Sequence, residues 1–320
     1  MESLAKTLKL LGHPDRLRIL AVLRRGELTV SELTTVLDLS QPRVTQYIGS
    51  LEEAGLIERL REGSWVFVRL RMRHEGAPAI TRSVLDALPA DDPTLAADRA
   101  RLDAVQRDRS SASERFFAEV ANNRGQLSHE YLPSAPIEQA LLGAAGGGPF
   151  RFMVDLGTGS GRMLALFAER VQSGTGIDRS QEMLRVARHA LSQDRFAHLF
   201  VQLGEITQTT LADGAADLVT LHQVLHYLDD PATALEEAAR LLEPDGTLLI
   251  ADFETHQEEG YRDQFAHRRL GFDEAEISAL LTEMGFDDVV TTVVKTHDST
   301  APDVLLWTAK RSSNSHRKAA

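Results

Sequence analysis

A glycine-rich turn directly after an apolar run is the feature that most constrains the fold of this chain. Residues 150–156 read FRFMVDL, which predicts a strand that is buried on both faces of a sheet. The next residues, GTGSG, lead into a helix that begins near Arg162. Glycine permits positive φ and lets the backbone approach a ligand closely. A strand, a glycine turn and a helix in this order predict an α/β sheet with a ligand beyond its strand ends.

The spacing of the glycines distinguishes between cofactor classes. The dinucleotide fingerprint is G-x-G-x-x-G, with the pyrophosphate at the helix N-terminus. Here the pattern is G-x-G-x-G, formed by Gly157, Gly159 and Gly161 and preceded by Asp155. An acidic residue beside the loop suits a ligand with an amino-acid moiety rather than a diphosphate.

The next two predicted strands end in acidic residues. Residues 174–177 form a strand that ends at Asp178, 21 residues after the first glycine of the loop. A carboxylate at that position can accept hydrogen bonds from both hydroxyls of a ribose. Residues 199–203 form a third strand that ends at Gly204 and Glu205, where a polar side chain suits the adenine amino group.

The rest of the predicted sheet follows the same alternation of strand and helix. Residues 216–221 form a fourth strand that leads directly into His222, and LEPDGTLLIADF supplies a turn and a fifth strand. Residues 289–294 and 304–309 are suited to closing the sheet as a hairpin. Ligands of such sheets bind beyond the C-terminal ends of the strands. The polar residues expected at those ends are Asp155, Asp178, Glu205 and His222.

From residue 150 to 310 the chain resembles the class I S-adenosylmethionine-dependent methyltransferases. VDLGTGSG matches the glycine loop of that family, GIDRSQEML its ribose-binding strand end, and LEPDGTLLI the segment before its fifth strand. The resemblance implies a Rossmann-like, seven-stranded methyltransferase sheet that binds S-adenosylmethionine or S-adenosylhomocysteine. The alternative is a domain of this fold that has lost its ligand.

The resemblance also assigns roles to individual residues. It implies that Asp155, Gly157 and Gly159 line the methionine part of the cofactor and that Asp178 holds the ribose. Met183 lies where the family packs an apolar residue near the adenine, and Glu205 stands where aspartate is more usual. The expected cofactor-binding residues are Asp155, Gly157, Thr158, Gly159, Gly161, Asp178, Arg179, Met183, Gly204, Glu205 and His222.

The N-terminal region has the pattern of a helix-turn-helix. Thr29 and Glu32 match the capping box at the start of a first helix. Ser40 is a second N-cap, followed by a helix in which Val44, Ile48 and Leu51 form a core stripe at i, i+4 and i+7. The remaining positions of that second helix carry side chains able to contact bases or phosphates. These are Gln41, Arg43, Thr45, Gln46 and Tyr47.

A predicted β-hairpin follows the second helix, with Arg59 and Arg61 near its tip, where both can contact phosphates. Residues 5–71 resemble the ArsR-type winged helix-turn-helix repressors, most specifically in LSQPRVTQYI and AGLI. The resemblance implies a homodimer that binds an inverted repeat of double-stranded DNA in the major groove. It places base contacts at Gln41, Arg43, Thr45 and Gln46. The alternative is a winged helix used only for protein contacts.

The charge is divided unevenly along the chain. The net charge is −12, which by itself argues against nucleic-acid binding. Residues 1–75, however, hold 12 Lys and Arg against 10 Asp and Glu, whereas the remaining residues hold 23 against 37. The acidic balance therefore belongs to the C-terminal part, and the N-terminal part remains compatible with DNA.

Composition excludes several classes of site. The chain has no cysteine, which removes disulfides, thiolate metal ligands and cysteine nucleophiles. The ArsR-type region accordingly lacks a Cys-x-Cys pair, so no metal is expected as effector, and His13 is expected to be structural. The sequence has neither an apolar run of about 18 residues nor a signal-peptide pattern, so we expect a cytoplasmic protein without a membrane partner.

These patterns predict four segments. Residues 1–95 are expected to form the winged helix-turn-helix domain, 96–125 a connecting helix, 126–312 the methyltransferase-like domain, and 313–320 a disordered tail. The connecting segment has a thin apolar stripe. It is either a solvated linker or an element that couples the two domains.

Cofactor binding does not by itself establish methyl transfer, which often needs a base. His222 is the best-placed candidate base, and Tyr131 is a second. His226 and His267 are further candidates. His226 and Tyr227 are alternatively helix residues that pack under the site. The segment HRRLGF, residues 267–272, either recognises an anionic acceptor through its basic side chains or is a solvated helix face.

Two functions fit the sequence. The first is a DNA-binding repressor that responds to S-adenosylmethionine or S-adenosylhomocysteine. The second is an active methyltransferase of a small molecule, whose DNA-binding domain is autoregulatory.

Overall fold

The computed structural model describes residues 2–62, 65–71, 77–122, 134–295 and 302–313. The chain divides into two compact units, residues 1–112 and 113–320. Among the described residues, no helix is long and apolar enough to cross a membrane. Tyr131 and the tail beyond residue 313 lie outside the described residues.

The first unit consists of helices and a small antiparallel sheet. Its elements are α1 (Glu2–Leu11), α2 (Pro14–Leu23), β1 (Leu28–Thr29), α3 (Val30–Leu37), α4 (Gln41–Glu53), β2 (Ile57–Glu62), β3 (Trp65–Leu70), α5 (Ala77–Asp86) and α6 (Pro93–Asn122). The sheet has the order β1-β3-β2. The predicted hairpin is confirmed, since β2 and β3 pair antiparallel from Ile57 opposite Leu70 to Glu62 opposite Trp65.

The helix-turn-helix geometry is confirmed at α3 and α4. The Thr29 hydroxyl accepts the Glu32 amide N–H at 3.2 Å, and the Glu32 carboxylate accepts the Thr29 N–H at 2.7 Å, which completes the capping box. Asp38, at φ +53°, ends α3 in the left-handed conformation. Ser40 is the N-cap residue of α4, but its side chain makes no capping hydrogen bond.

One residue of α4 is placed differently from the prediction. Tyr47 is buried, so it does not belong to the polar face of this helix. Its ring lies 4.9 Å from the His13 ring, and its hydroxyl donates to Asp15 at 3.3 Å. His13 in turn is the N-cap of α2, where its Nδ1 accepts the Asp15 N–H at 3.2 Å. The Tyr47 ring therefore belongs to the core of the first unit.

Helix α6 begins at Pro93, and the boundary between the two units falls inside it, after Ala112. Its first part packs into the first unit, where Leu102 is buried in the apolar core. Part of the predicted connecting segment 96–125 therefore belongs to the first unit, with Leu102 in its core.

The second unit is a sheet with helices between its strands. Its further elements are α7 (Ser134–Ala144), β4 (Phe150–Leu156), α8 (Arg162–Phe167), β5 (Val171–Asp178), α9 (Gln181–Ala190), β6 (Leu199–Leu203), β7 (Ala216–His222), α10 (Pro231–Leu241), β8 (Leu242–Phe253), α11 (Gly260–Phe265), α12 (Glu274–Glu283), β9 (Phe286–Val294) and β10 (Val304–Arg311).

The seven strands have the order β6-β5-β4-β7-β8-β10-β9. The first five pair in parallel, whereas β10 pairs antiparallel with both β8 and β9. The predicted seven-stranded α/β sheet and its closing hairpin are thus confirmed. The strand order reverses between β4 and β7, and in such sheets the ligand crevice lies beyond the carboxyl ends of the strands at that point.

Both faces of the sheet are buried. Along β8, Leu248 and Ile250 belong to one apolar cluster, and Leu249 and Ala251 belong to another. Successive side chains of a strand point to opposite faces, so the two clusters lie on opposite sides of the sheet. A sheet covered on both sides leaves its strand ends as the place for a ligand.

Candidate functional site

The glycine loop is held against the neighbouring strand by its own backbone. The N–H groups of Gly157 and Thr158 both donate to the Ile177 carbonyl of β5, at 2.8 and 3.0 Å. Gly157 has φ +79°, and a Cβ there would lie 2.4 Å from the Val224 side chain. A larger residue at 157 would therefore strain the backbone and displace Val224.

Asp155, the last acidic residue before the loop, is buried. Its Oδ1 accepts the Thr220 hydroxyl at 2.6 Å. Its Oδ2 and the hydroxyl oxygen of Thr158 are both buried and make no hydrogen bond of normal length and angle, although the Thr158 hydroxyl is near enough to act against the rise in the pKa of Asp155. Burial raises the pKa of Asp155 from 3.8 to about 6, and the nearby Asp178 carboxylate acts in the same direction. An acceptor that remains unsatisfied in a buried site is a place for a donor from a ligand.

Asp178 joins the end of β5 to the glycine loop. Its Oδ2 accepts the Gly159 N–H at 2.8 Å, and its Oδ1 accepts the Ser180 N–H at 2.9 Å. Burial raises the pKa of this carboxyl. Each carboxylate oxygen has a further lone pair, so the group can still accept hydrogen bonds from a ligand. The backbone bonds fix its orientation.

The predicted adenine end is formed by residues that differ in burial. Met183 is buried in the first turn of α9, where its amide donates to the Ser180 hydroxyl at 3.2 Å. Gly204 donates its N–H to the Asp178 carbonyl at 3.0 Å. Arg179 and Glu205 are exposed.

His222 is the last residue of β7, as predicted from the sequence. The pKa of its imidazole is lowered from 6.5 to about 4, mainly by burial and secondly by the positive charge of Arg162. The ring is therefore neutral at pH 7, which makes it a hydrogen-bonding group rather than a charged one.

A cavity of about 290 Å³ contains these residues, and all of its lining belongs to the second unit. Every predicted cofactor-binding residue except Gly161 lines it. These are Asp155, Gly157, Thr158, Gly159, Asp178, Arg179, Met183, Gly204, Glu205 and His222. Gly161 lies behind the loop as the N-cap of α8, with φ +79°.

The cavity continues past the loop to a second group of side chains, which we call the aromatic end. It consists of Phe117, His226, Tyr227, Phe253 and His267. The Phe117 ring of α6 lies 4.9 Å from the Tyr227 ring, and the His226 ring lies 4.0 Å from the His267 ring. The cavity thus has a polar end at the glycine loop and an apolar end with two histidines.

His226 is paired with a carboxylate that the sequence analysis did not single out. Its Nδ1 lies 2.6 Å from Asp252 Oδ1, and both residues are buried. Its Nε2 is buried and has no hydrogen-bond partner. The backbone N–H groups of Leu225 and Phe253 also donate to Asp252, at 3.0 and 2.8 Å. Asp252 is the eleventh of the twelve residues of β8, and an acidic residue within LLIADF was the available signal.

One of the two interpretations of the segment HRRLGF is wrong. His267, Arg268 and Arg269 are buried, so this segment is not a solvated helix face, whereas recognition of an anionic acceptor stays a prediction. Arg268 pairs with Asp229 at 3.0 Å, and Arg269 pairs with Glu276 at 3.1 Å. Buried guanidinium groups need such partners, and the partners were not recognisable from the local sequence.

The predicted DNA-contacting residues lie on the surface of the first unit. Gln41, Thr45 and Gln46 of α4 are exposed, and so are Arg43, Arg59 and Arg61. The Arg43 guanidinium is held by Asp15 at 2.8 Å and by the Tyr47 hydroxyl at 3.0 Å, and Arg59 is paired with Glu52. Throughout the described part of the chain, no group of three or more His, Asp or Glu side chains is arranged to hold a metal ion.

Two protein-family models match the chain, one in each unit. The model described as bacterial regulatory protein, arsR family, matches residues 13–59, and the model described as methyltransferase domain matches residues 154–250. The first covers α2 to β2 with the helix-turn-helix, and the second covers the glycine loop and strands β5 to β7 with most of β8.

Individual proteins resemble one unit or the other. The biofilm growth-associated repressor of Agrobacterium fabrum is 44% identical over 63 residues, which are 20% of this chain and 54% of that protein. The trans-aconitate 2-methyltransferase of Delftia acidovorans is 33% identical over 151 residues, which are 46% of this chain and 51% of that protein. The chain spans about a third to just under two thirds of the length of the curated relatives it matches.

Among solved structures, the N-methyltransferase NodS of Bradyrhizobium japonicum, in complex with S-adenosyl-L-homocysteine, has the same fold as the second unit. It superposes with a TM-score of 0.53 and 20% identity, over 62% of this chain and 98% of that chain. At that identity the similarity establishes the fold of the second unit.

Proposed function

This chain joins an arsR-family helix-turn-helix region to a methyltransferase domain, and we propose that it is a repressor responsive to S-adenosylmethionine or S-adenosylhomocysteine. The second unit binds the cofactor, the first unit binds a double-stranded operator as a homodimer, and cofactor binding changes the affinity for DNA. The protein works in the cytoplasm, where its operator is accessible.

The cofactor assignment rests on the unsatisfied groups at the glycine loop. Asp155 Oδ2 is a buried acceptor without a hydrogen bond of normal geometry, and the Thr158 hydroxyl lies beside it, which together suit the α-ammonium group of the methionine part. Asp178 has lone pairs left for the ribose hydroxyls, and Met183 offers an apolar surface to the adenine. The fold shared with NodS, which was solved with S-adenosyl-L-homocysteine, supports the same assignment.

The DNA assignment rests on the exposed face of α4 and on the hairpin. Gln41, Arg43, Thr45 and Gln46 provide donors and acceptors of the kind that read base edges in the major groove. Arg59 and Arg61, on the hairpin that serves as the wing, contact phosphates and make binding dependent on salt.

A single observation carries the proposed coupling. Helix α6 contributes Leu102 to the core of the first unit and Phe117 to the wall of the cavity in the second unit. Because Phe117 belongs to the same cavity as the residues assigned to the cofactor, a ligand that fills this cavity acts on a wall formed by the helix that is built into the DNA-binding unit. Ligand and operator then influence each other's affinity reciprocally.

In the experiment, a DNA duplex that binds the purified protein is selected from a pool of random sequences. The dissociation constant of the complex of protein and duplex is then measured with and without each ligand. We expect S-adenosylmethionine or S-adenosylhomocysteine to change that constant by about fivefold or more. If no duplex is enriched, the DNA-binding role is wrong. If a duplex is enriched but neither ligand alters its binding, the sensing role is wrong.

A second candidate function is methyl transfer to a small molecule. The observation that favours it is the aromatic end of the cavity, which lies beyond the residues assigned to the cofactor. This end contains His226, whose ring is paired with Asp252. His222 and Tyr131 remain the bases predicted from sequence. Release of labelled methyl groups to acceptors from a metabolite extract tests this function, and no transfer to any acceptor in the extract would argue against it.

A further inference from the structure

We propose that His226, oriented by Asp252, accepts the proton of a hydroxyl group on an uncharged aromatic acceptor bound at the aromatic end of the cavity. This inference rests on the second candidate function, methyl transfer to a small molecule. It assigns to His226 the role of general base and identifies the class of acceptor as phenols and related aromatic alcohols.

The hydrogen bonds of Asp252 define which ring nitrogen of His226 carries the proton. The two backbone N–H groups and the imidazole Nδ1 all lie within 3.0 Å of the Asp252 carboxylate, which therefore acts as an acceptor. An acceptor at Nδ1 places the imidazole proton on that nitrogen. The lone pair then lies on Nε2, which has no hydrogen-bond partner, in a residue that lines the cavity. This tautomer is the one that a general base acting through Nε2 requires.

The neighbouring titratable groups favour His226 over the other histidines. Burial and the positive charge of Arg162 lower the pKa of His222 to about 4, and the more distant charge of Asp252 only partly offsets them. Burial lowers the pKa of His267 strongly and that of His256 to about 4, so both rings are neutral at pH 7. Arg262, which also faces this cluster, donates to the Arg268 carbonyl.

The walls of the aromatic end indicate the acceptor. Phe117, Tyr227 and Phe253 present ring surfaces, which favour a flat apolar body. The guanidinium groups next to the aromatic end are already paired, Arg268 with Asp229 and Arg269 with Glu276; Arg162 is paired with Glu138, and Arg179 lines the cavity at its polar end, beside Asp178. An anionic acceptor would therefore lack a counter-charge, and an uncharged aromatic alcohol fits better.

The proposed reaction moves a proton from the hydroxyl group of the acceptor to His226. The acceptor O–H bond breaks, its proton forms a bond with Nε2 of His226, and the electron pair stays on the acceptor oxygen. When bound, S-adenosylmethionine supplies a methyl carbon that forms a bond with this oxygen, while its carbon–sulfur bond breaks and leaves the electron pair on sulfur. The imidazolium of His226 is stabilised by Asp252 until it loses its proton to solvent.

The experiment measures proton transfer without turnover. 4-Nitrophenol is titrated into the full chain saturated with S-adenosylhomocysteine, and the visible absorption of its phenolate is recorded. The variants are His226→Gln and Asp252→Asn, and the control is His189→Gln, which changes an exposed histidine of α9. Calorimetry of S-adenosylhomocysteine binding to each protein reports separately on the fold and on the proposed cofactor site.

We expect the wild-type chain and the His189→Gln control to raise the ionised fraction of bound 4-nitrophenol. His226→Gln should reduce the shift at least tenfold, with S-adenosylhomocysteine affinity unchanged. An equal shift in His226→Gln and wild type, or no binding of 4-nitrophenol to the wild-type complex, overturns the inference. If S-adenosylhomocysteine itself fails to bind the wild type, the cofactor assignment fails first. The titration is then made with the free chain, and the same comparison of variants decides on His226.

Discussion

Arg18 of α2 and Asp98 of α6 form a two-point ion pair: Arg18 Nε lies 2.7 Å from Asp98 Oδ2, and Nη2 lies 2.7 Å from Oδ1. Asp98 is 1% exposed, and Arg18 Nη2 also donates to the Leu37 carbonyl at the end of α3 at 2.6 Å. This pair raises the pKa of Arg18 and ties α6 to the first helix of the helix-turn-helix.

Asp98→Ala should destabilise the first unit by roughly 3 kcal/mol, because it removes two charge-assisted hydrogen bonds from a largely buried guanidinium and leaves it with Asp15 as its remaining carboxylate. Denaturant unfolding followed by circular dichroism measures the loss. The matched control is Asp103→Ala on the same helix, which removes the partner of Arg25 from an exposed pair. That change should cost less than about 1 kcal/mol. Equal losses for the two variants would contradict a special role of Asp98 in anchoring α6.

Cofactor affinity should depend on pH through Asp155. With a pKa of about 6, this carboxyl is mostly ionised at pH 7 and mostly protonated at pH 5. The ammonium group of the ligand binds the ionised form, so affinity should fall by about tenfold between pH 7 and pH 5. Calorimetry with S-adenosylhomocysteine checks this.

Asp155→Asn serves as the control for that measurement. This variant should bind S-adenosylhomocysteine more weakly at pH 7. It should also lose the tenfold change in affinity between pH 7 and pH 5, because the amide does not titrate in that range. A variant with the same pH profile as the wild type would show that another group is responsible.

Operator recognition should depend on Gln46. Gln46→Ala removes the hydrogen-bonding group from an exposed position of α4 and should weaken binding of the selected duplex by about 5- to 150-fold. Arg59→Ala should instead reduce the slope of log affinity against log salt by about 1, since it removes one phosphate contact. Fluorescence anisotropy at several salt concentrations separates the two effects.

Arg188→Ala is the control for these DNA measurements, because it removes a positive charge from an exposed position on α9 in the second unit. It should leave both affinity and salt slope unchanged. If Arg188→Ala lowered the affinity and the salt slope as much as Arg59→Ala does, the affinity for DNA would depend on the net charge of the protein and not on the hairpin.

Phe117→Ala tests the link between the cavity and the DNA-binding unit. The change removes the ring that contacts Tyr227, so a ligand no longer meets α6 at this point. We expect DNA affinity without ligand to stay within about twofold, while the effect of the ligand on DNA affinity shrinks by about fivefold or more. Phe200→Ala, at a 61% exposed position on β6, is the matched control. An undiminished ligand effect in Phe117→Ala would exclude transmission through this ring.

Local patterns predicted most of the fold. The capping box at Thr29, the glycine loop after β4 and the acidic residue at the end of β5 are each specified by a few neighbouring residues. They were accordingly placed correctly from the sequence. The closing hairpin of β9 and β10 followed from its two apolar runs, because few other arrangements complete such a sheet.

The errors and omissions involve partners distant in sequence. Asp252 was not singled out, because it meets His226 only through the register of β7 against β8, 26 residues away. The segment at Arg268 and Arg269 was misread, since its burial depends on Asp229 and Glu276. Tyr47 was assigned to a surface face because its contacts with His13 and Asp15 come from another helix.

The central claim is that one chain couples a cofactor site to a DNA-binding surface. The most direct test is the dissociation constant of the selected duplex, measured on one protein preparation with no ligand, with saturating S-adenosylmethionine and with saturating S-adenosylhomocysteine. We predict that at least one ligand changes the constant by about fivefold or more and that DNA changes the affinity for that ligand by the same factor. Identical constants in all three conditions, with calorimetry showing the ligand bound, would contradict the claim.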